Sequence, residues 1–132
     1  MTEANVEVVR AAFDACIRGD VPRMLAVTAE DIVVTQFPDQ VDVRDYHGQE
    51  GVMQVMAEWI GTWDDWTIEL ASARAVGDVV LATAVQRGRG KGSGIPFAEE
   101  VTFVFAFRDG LIARWQMFRS EHAALDALGL DG

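Results

Sequence analysis

The chain has 132 residues, half of them hydrophobic, with 11 Lys and Arg against 21 Asp and Glu, for a formal net charge of −10. That length suits one core and is short for two, the apolar share argues against disorder, and the acidity argues against binding phosphate backbones or anionic lipid. One cysteine, Cys16, and two histidines exclude an internal disulfide and a structural zinc site, so a single domain over residues 1–132 in a reducing cytoplasm is expected. Neither an export leader nor an apolar run long enough to cross a membrane is visible in the sequence.

Val6, Val9, Phe13, Cys16 and Ile17 recur at helical spacing and predict a first amphipathic helix, closed by Gly19. Asp20 as N-cap and Pro22 in the first turn predict a short second helix carrying Met24 and Leu25. Ile32 to Phe37 is β-branched and aromatic and stops at Pro38, so it reads as a strand, followed by a polar loop from Asp39 to His47. From Gly48, Val52, Val55, Met56, Trp59, Ile60 and Trp63 mark a third helix with Trp59 and Trp63 one turn apart on one face. The period then changes to strands: about Trp66–Ala75, a Gly77-Asp78 turn, Val79–Arg89, a glycine-rich link, Phe97–Phe107, a turn at Asp109-Gly110, and Leu111–Phe118. A last helix begins near Ser120 and ends at Gly129. The order ααβαββββα defines an α+β class.

This order, together with the Gly19-Asp20 corner, "YHGQEGV" at Tyr46–Val52, "FRDGLIARW" at Phe107–Trp115 and "ALDALGL" at Ala124–Leu130, resembles the nuclear transport factor 2-like superfamily. Within it the chain is similar to SnoaL-like polyketide cyclases and ketosteroid isomerase-related proteins. The resemblance implies a cone-shaped, curved, mainly antiparallel sheet around a long helix, a cystatin-like α+β barrel with an apolar pocket at its open end. Fold likeness does not assign a reaction.

Facing along the last hairpin follows from its turn. With Arg108-Asp109-Gly110 as a three-residue loop, Phe107 pairs with Leu111, and then Phe105 with Ala113, Phe103 with Trp115, Val101 with Met117 and Glu99 with Arg119. That face carries the large apolar side chains and is expected to be concave, leaving Val104 and Phe118 on an outer face where a homodimer would form. The resemblance places Gln36 and Gln86 inward.

The residues that relatives use for chemistry are absent. The isomerase base, tyrosine and second acid fall on Gln36, Ala12 and Phe103, and the Asp-Arg-Asp set of limonene epoxide hydrolases falls on Met117, Ala84 and Gln86. The inward carboxylate that remains is Glu99, opposite Arg119, with Glu69 a weaker candidate on the neighbouring strand; Glu99 is either a proton carrier with its partner or a rim salt bridge. Asp39, Asp42 and Asp45 with His47 lack the geometry of a metal loop, and the Gly88–Gly94 run lacks phosphate-loop spacing. His47 is expected to bond local backbone, His122 to sit at the surface, and Cys16 to serve as packing.

Trp59, Trp63, Phe103, Trp115 and Met117 with Gln36 and Gln86 therefore predict a flat apolar ligand site with neutral polar handles. The expected partner is a hydrophobic small molecule, with no nucleic acid, no membrane, no metal and no cofactor. Two functions stay open: a cofactor-independent cyclase, isomerase or dehydratase using Glu99 and Arg119, or a non-catalytic binding or dimeric module.

Overall fold

The computed structural model describes residues 2–37 and 45–129. Helices α1 (Thr2–Arg18) and α2 (Val21–Ala26) lead into β1 (Thr28–Thr35), β2 (Asp45–His47), α3 (Gly48–Ile60), β3 (Trp63–Val76), β4 (Val79–Gly90), β5 (Pro96–Arg108), β6 (Leu111–Phe118) and α4 (Glu121–Leu128). The six strands form one sheet in the order β2-β1-β6-β5-β4-β3. β1 runs parallel to β6 and every other neighbouring pair is antiparallel.

Local chemistry accounts for the helix starts. The Asp20 carboxylate accepts the backbone N–H of Arg23 at 3.2 Å, and the Ser120 hydroxyl accepts that of Ala123 at 3.0 Å, each satisfying a first-turn donor that has no partner inside its helix. Gly129, at φ 68°, closes α4 in the left-handed conformation. The Tyr46–Val52 segment earns its glycines: a Cβ on Gly51 would lie 2.9 Å from the Tyr46 carbonyl carbon, so α3 starts hard against β2. The Tyr46 hydroxyl donates to Glu58 at 3.1 Å, and the Gln49 amide donates to the Leu25 carbonyl at 3.1 Å, tying α3 to both β2 and the end of α2.

Two helices share the concave side. Val9, Ala12 and Phe13 of α1 and Val52 and Val55 of α3 are buried in one cluster with Ile32, Val34, Ile68, Phe103, Phe105 and Ile112 from the sheet. Phe13 meets Phe103 and Phe105 edge-on, with ring centroids 5.6 and 6.3 Å apart.

Four expectations are corrected. The extra strand β2 interrupts the predicted loop. Helix α3 ends at Ile60, so Trp63 opens β3 rather than sharing a helical face with Trp59. The last hairpin has a two-residue turn, Asp109-Gly110, both at positive φ, with Arg108 opposite Leu111. A bulge between Ala106 and Phe107 then shifts the register, so Phe105 faces Trp115 and Phe103 faces Met117. Finally, Val104 and Phe118 leave no open apolar patch, because α4 lies over them: Ala124 is buried against Leu81, Val104 and Phe118. The dimer face inferred from those two side chains loses its basis.

Candidate ligand cavity

Between the sheet and the two inner helices the side chains leave a cavity of about 90 Å³, partly open to solvent. Helix α1 supplies Ala12, Phe13 and Cys16, and α3 supplies Val55, Met56, Trp59 and Ile60. Opposite them stand Trp66 and Ile68 of β3, Gln86 of β4, Phe103 and Phe105 of β5, and Ile112, Trp115 and Met117 of β6. Met24, Thr28, Ile32, Gln36 and Phe37 complete the wall. Among the described residues no aspartate, glutamate, lysine, arginine or histidine lines it. The one titratable lining group among the described residues is the Cys16 thiol, whose pKa burial pushes up to about 11, so it is uncharged at neutral pH.

The principal polar feature is Gln86, 3% exposed on β4. Its side-chain oxygen accepts the indole N–H of Trp59 at 2.5 Å and that of Trp66 at 2.9 Å. Trp115 sits between Phe103 and Phe105, with centroids 5.7 and 6.2 Å away, and its indole N–H is buried without a partner among the described residues. Gln36 follows directly after β1, half-buried on the wall.

Glu99 stands opposite Gln86 in the β4–β5 register, yet it is not part of the lining. Its carboxylate accepts from Arg119 at 2.8 Å, with the Glu99 and Arg119 side chains 38% and 47% exposed. The Arg119 guanidinium also lies 4.0 Å from the ring centroid of Phe37, which itself lines the cavity. The pair thus anchors to one edge of the wall while remaining in contact with water.

Of the residues predicted to hold a ligand, Gln36, Trp59, Gln86, Phe103, Trp115 and Met117 line the cavity. Trp63 does not; its ring stacks on Phe97 at 4.0 Å and meets Trp59 edge-on at 5.7 Å. Trp66, which is not among the predicted residues, also lines the cavity, and its alternation with Ile68 and Leu70 along β3 is a signal for an inward face. His47 precedes α3 exposed and makes no side-chain capping bond, contrary to the expected backbone contact, and His122 is exposed on α4. Asp45 accepts from the Thr35 hydroxyl at 2.7 Å, while Asp39 and Asp42 lie outside the described residues. Among the described residues no helix is long and apolar enough to cross a membrane.

A curved sheet closed by two helices over an uncharged hollow defines an α+β cone of the nuclear transport factor 2-like kind. The sequence profile of the SnoaL-like domain matches residues 9–115, and the chain belongs to that family. Solved structures with the same fold include a putative SnoaL-like polyketide cyclase from Jannaschia sp. CCS1, 18% identical, with a TM-score of 0.79 over 100% of this chain and 96% of that one. They also include TerC co-crystallised with polyporic acid, 15% identical, TM-score 0.76, covering 96% and 98%. An LEH-like epoxide hydrolase from M. tuberculosis is 18% identical with a TM-score of 0.67, covering 96% and 90%. No curated protein sequence matches the chain significantly.

Proposed function

We propose that the protein takes up a hydrophobic cyclic compound bearing a carbonyl or hydroxyl group, held in the cavity by aromatic and aliphatic walls with Gln36 and Gln86 as neutral polar handles. The observation that carries this reading is the lining itself: indole, phenyl, thioether and branched aliphatic groups with two amides and no charged side chain among the described residues. Such a surface repels ions and strongly hydrated solutes, because neither charge nor an adequate number of polar groups would replace their water. The cavity of about 90 Å³ is smaller than the void of about 150 Å³ that holds a benzene molecule, so a ring would enter it in part and occupy its open mouth as well. The remainder of a larger ligand would extend through the opening.

If a cyclisation, isomerisation or dehydration takes place there, Glu99 is the proton carrier and Arg119 its partner, working from the rim. A second reading, a binder without proton transfer, draws on the uncharged lining and on the side chains at positions where relatives carry acids, namely Gln36, Phe103, Met117 and Gln86. Titration of acetophenone into ¹⁵N-labelled protein tests the shared core of both. The indole N–H resonances of Trp59, Trp66 and Trp115 should move together and saturate, that of Trp63 should move least, and Val55→Trp should abolish the effect by filling the space. Shifts confined to surface residues would contradict the reading. With a turned-over substrate in hand, Glu99→Gln separates the two: loss of a carboxylate limb in the pH–rate profile supports catalysis, and unchanged turnover excludes Glu99 as the carrier.

A further inference from the structure

We propose that Gln86 makes this cavity selective for compounds carrying a hydrogen-bond acceptor, a ketone-type carbonyl oxygen above all, over hydrocarbons of the same shape. The inference rests on the small-molecule reading of the cavity and goes further by fixing which polar group the ligand presents. An amide side chain can be turned either way, and its neighbours decide which. Here the two neighbours are indole N–H groups, which donate and never accept. Both meet the same Gln86 atom, at 2.5 Å from Trp59 and 2.9 Å from Trp66, so that atom is the oxygen. Turned over, the amide would set N–H against N–H twice, and the orientation is therefore locked.

The consequence falls on the other end of the amide. Its oxygen uses both lone pairs on the indoles, and its NH₂ group, on a side chain that lines the cavity, has no partner among the described residues. Two donors on the oxygen also polarise the amide and strengthen its N–H groups as donors. The indole N–H of Trp115 adds a second unpartnered donor on a ring of the same wall. The Thr28 hydroxyl already donates to the Leu25 carbonyl at 2.9 Å. Gln36, half-buried on the same wall, brings one acceptor oxygen along with its own NH₂ group, so donors remain in surplus: a carbonyl oxygen entering the cavity regains the hydrogen bond it gave up in water, whereas a group that can only donate finds the Gln86 oxygen occupied.

Cyclohexanone and methylenecyclohexane share a ring and differ in C=O against C=CH₂, which makes them suitable probes. The affinity ratio of ketone to alkene is measured by calorimetry on the wild-type protein and on Gln86→Glu. That substitution keeps the shape and an oxygen for both indoles but replaces the NH₂ by a second oxygen. The ratio should fall by about 5–10-fold while the introduced carboxyl is ionised, the loss of one hydrogen bond, and recover when acid protonates the carboxyl and restores a donor. In the wild type, the Gln86 side-chain NH₂ resonances should move downfield with cyclohexanone and stay in place with methylenecyclohexane, a readout independent of how the variant folds. Binding of both probes with an unchanged ratio, or with Gln86 resonances indifferent to the ketone, overturns the inference and leaves the cavity reading standing. If neither probe binds, both the inference and the cavity reading are overturned.

Discussion

Replacing Gln86 by leucine removes the oxygen shared by two indoles, and the structure sets the size of the effect. Trp59 and Trp66 each donate to that oxygen, at 2.5 and 2.9 Å, from half-buried rings. A buried donor stripped of its acceptor costs about 1–3 kcal/mol. Two such donors, lying where water has partial access, put the gross loss at roughly 2–4 kcal/mol, and relief from no longer burying the Gln86 amide returns part of it. The expected net destabilisation is about 2 kcal/mol, read as a lower midpoint of urea unfolding at constant slope. Trp66→Phe should cost less than leucine at Gln86, and the double variant should lose less than the two single losses added, because both remove the same bond. A loss for Gln86→Leu below about 0.5 kcal/mol, within the range of ordinary surface substitutions, would refute the idea that this amide organises the indoles.

Gly51→Ala should destabilise by about 1–3 kcal/mol, since the new methyl would press on Tyr46 backbone at 2.9 Å, and thermal unfolding followed by circular dichroism checks it. Burial raises the Cys16 pKa to about 11 from an ordinary 9.0, so the unfolded chain releases this proton first. Stability should therefore decline as pH climbs from 9 towards 11, Cys16→Ala should flatten that decline, and iodoacetamide should label the native protein slowly at neutral pH but rapidly in urea. The Arg108 side chain donates a hydrogen bond to Asp31 and holds its carboxyl below the usual range, aided by the attraction of the guanidinium charge. Stability from that pairing is present above the ordinary aspartate pKa and is lost as pH falls through the lowered one; in Arg108→Gln, carboxyl-carbon NMR should find Asp31 titrating at higher pH.

Much of the fold is readable from local chemistry, because helix caps, turn glycines and apolar alternation act within a few residues. Asp20, Ser120 and Gly129 mark helix ends for that reason, and Phe103, Phe105, Trp115 and Met117 share a face because strands alternate. The facing of that hairpin emerges from a different count than the one expected: a shorter turn and a bulge each shift the register by one residue in the same direction, and a shift of two returns every side chain to the expected face. Trp63 follows Trp59 by one helical turn in sequence, so periodicity extends the helix, but the chain turns at Gly61 and Thr62 before Trp63 enters β3. Position across the molecule is harder to read. Whether α4 packs on the outer face, covering Val104 and Phe118, depends on long-range burial that no local pattern encodes. The same holds for α1 as a wall of the cavity and for Trp66, whose role depends on an amide twenty residues away.

A crystal pressurised with xenon measures most directly whether the space enclosed by Phe13, Ile68 and Phe103 is a dry hollow open to apolar guests, as xenon enters such voids. An ordered xenon atom among these side chains, displaced in Val55→Trp, is the expected result. Density showing that space filled by the protein's own side chains, with xenon absent from it, would contradict the assignment of a small-molecule cavity.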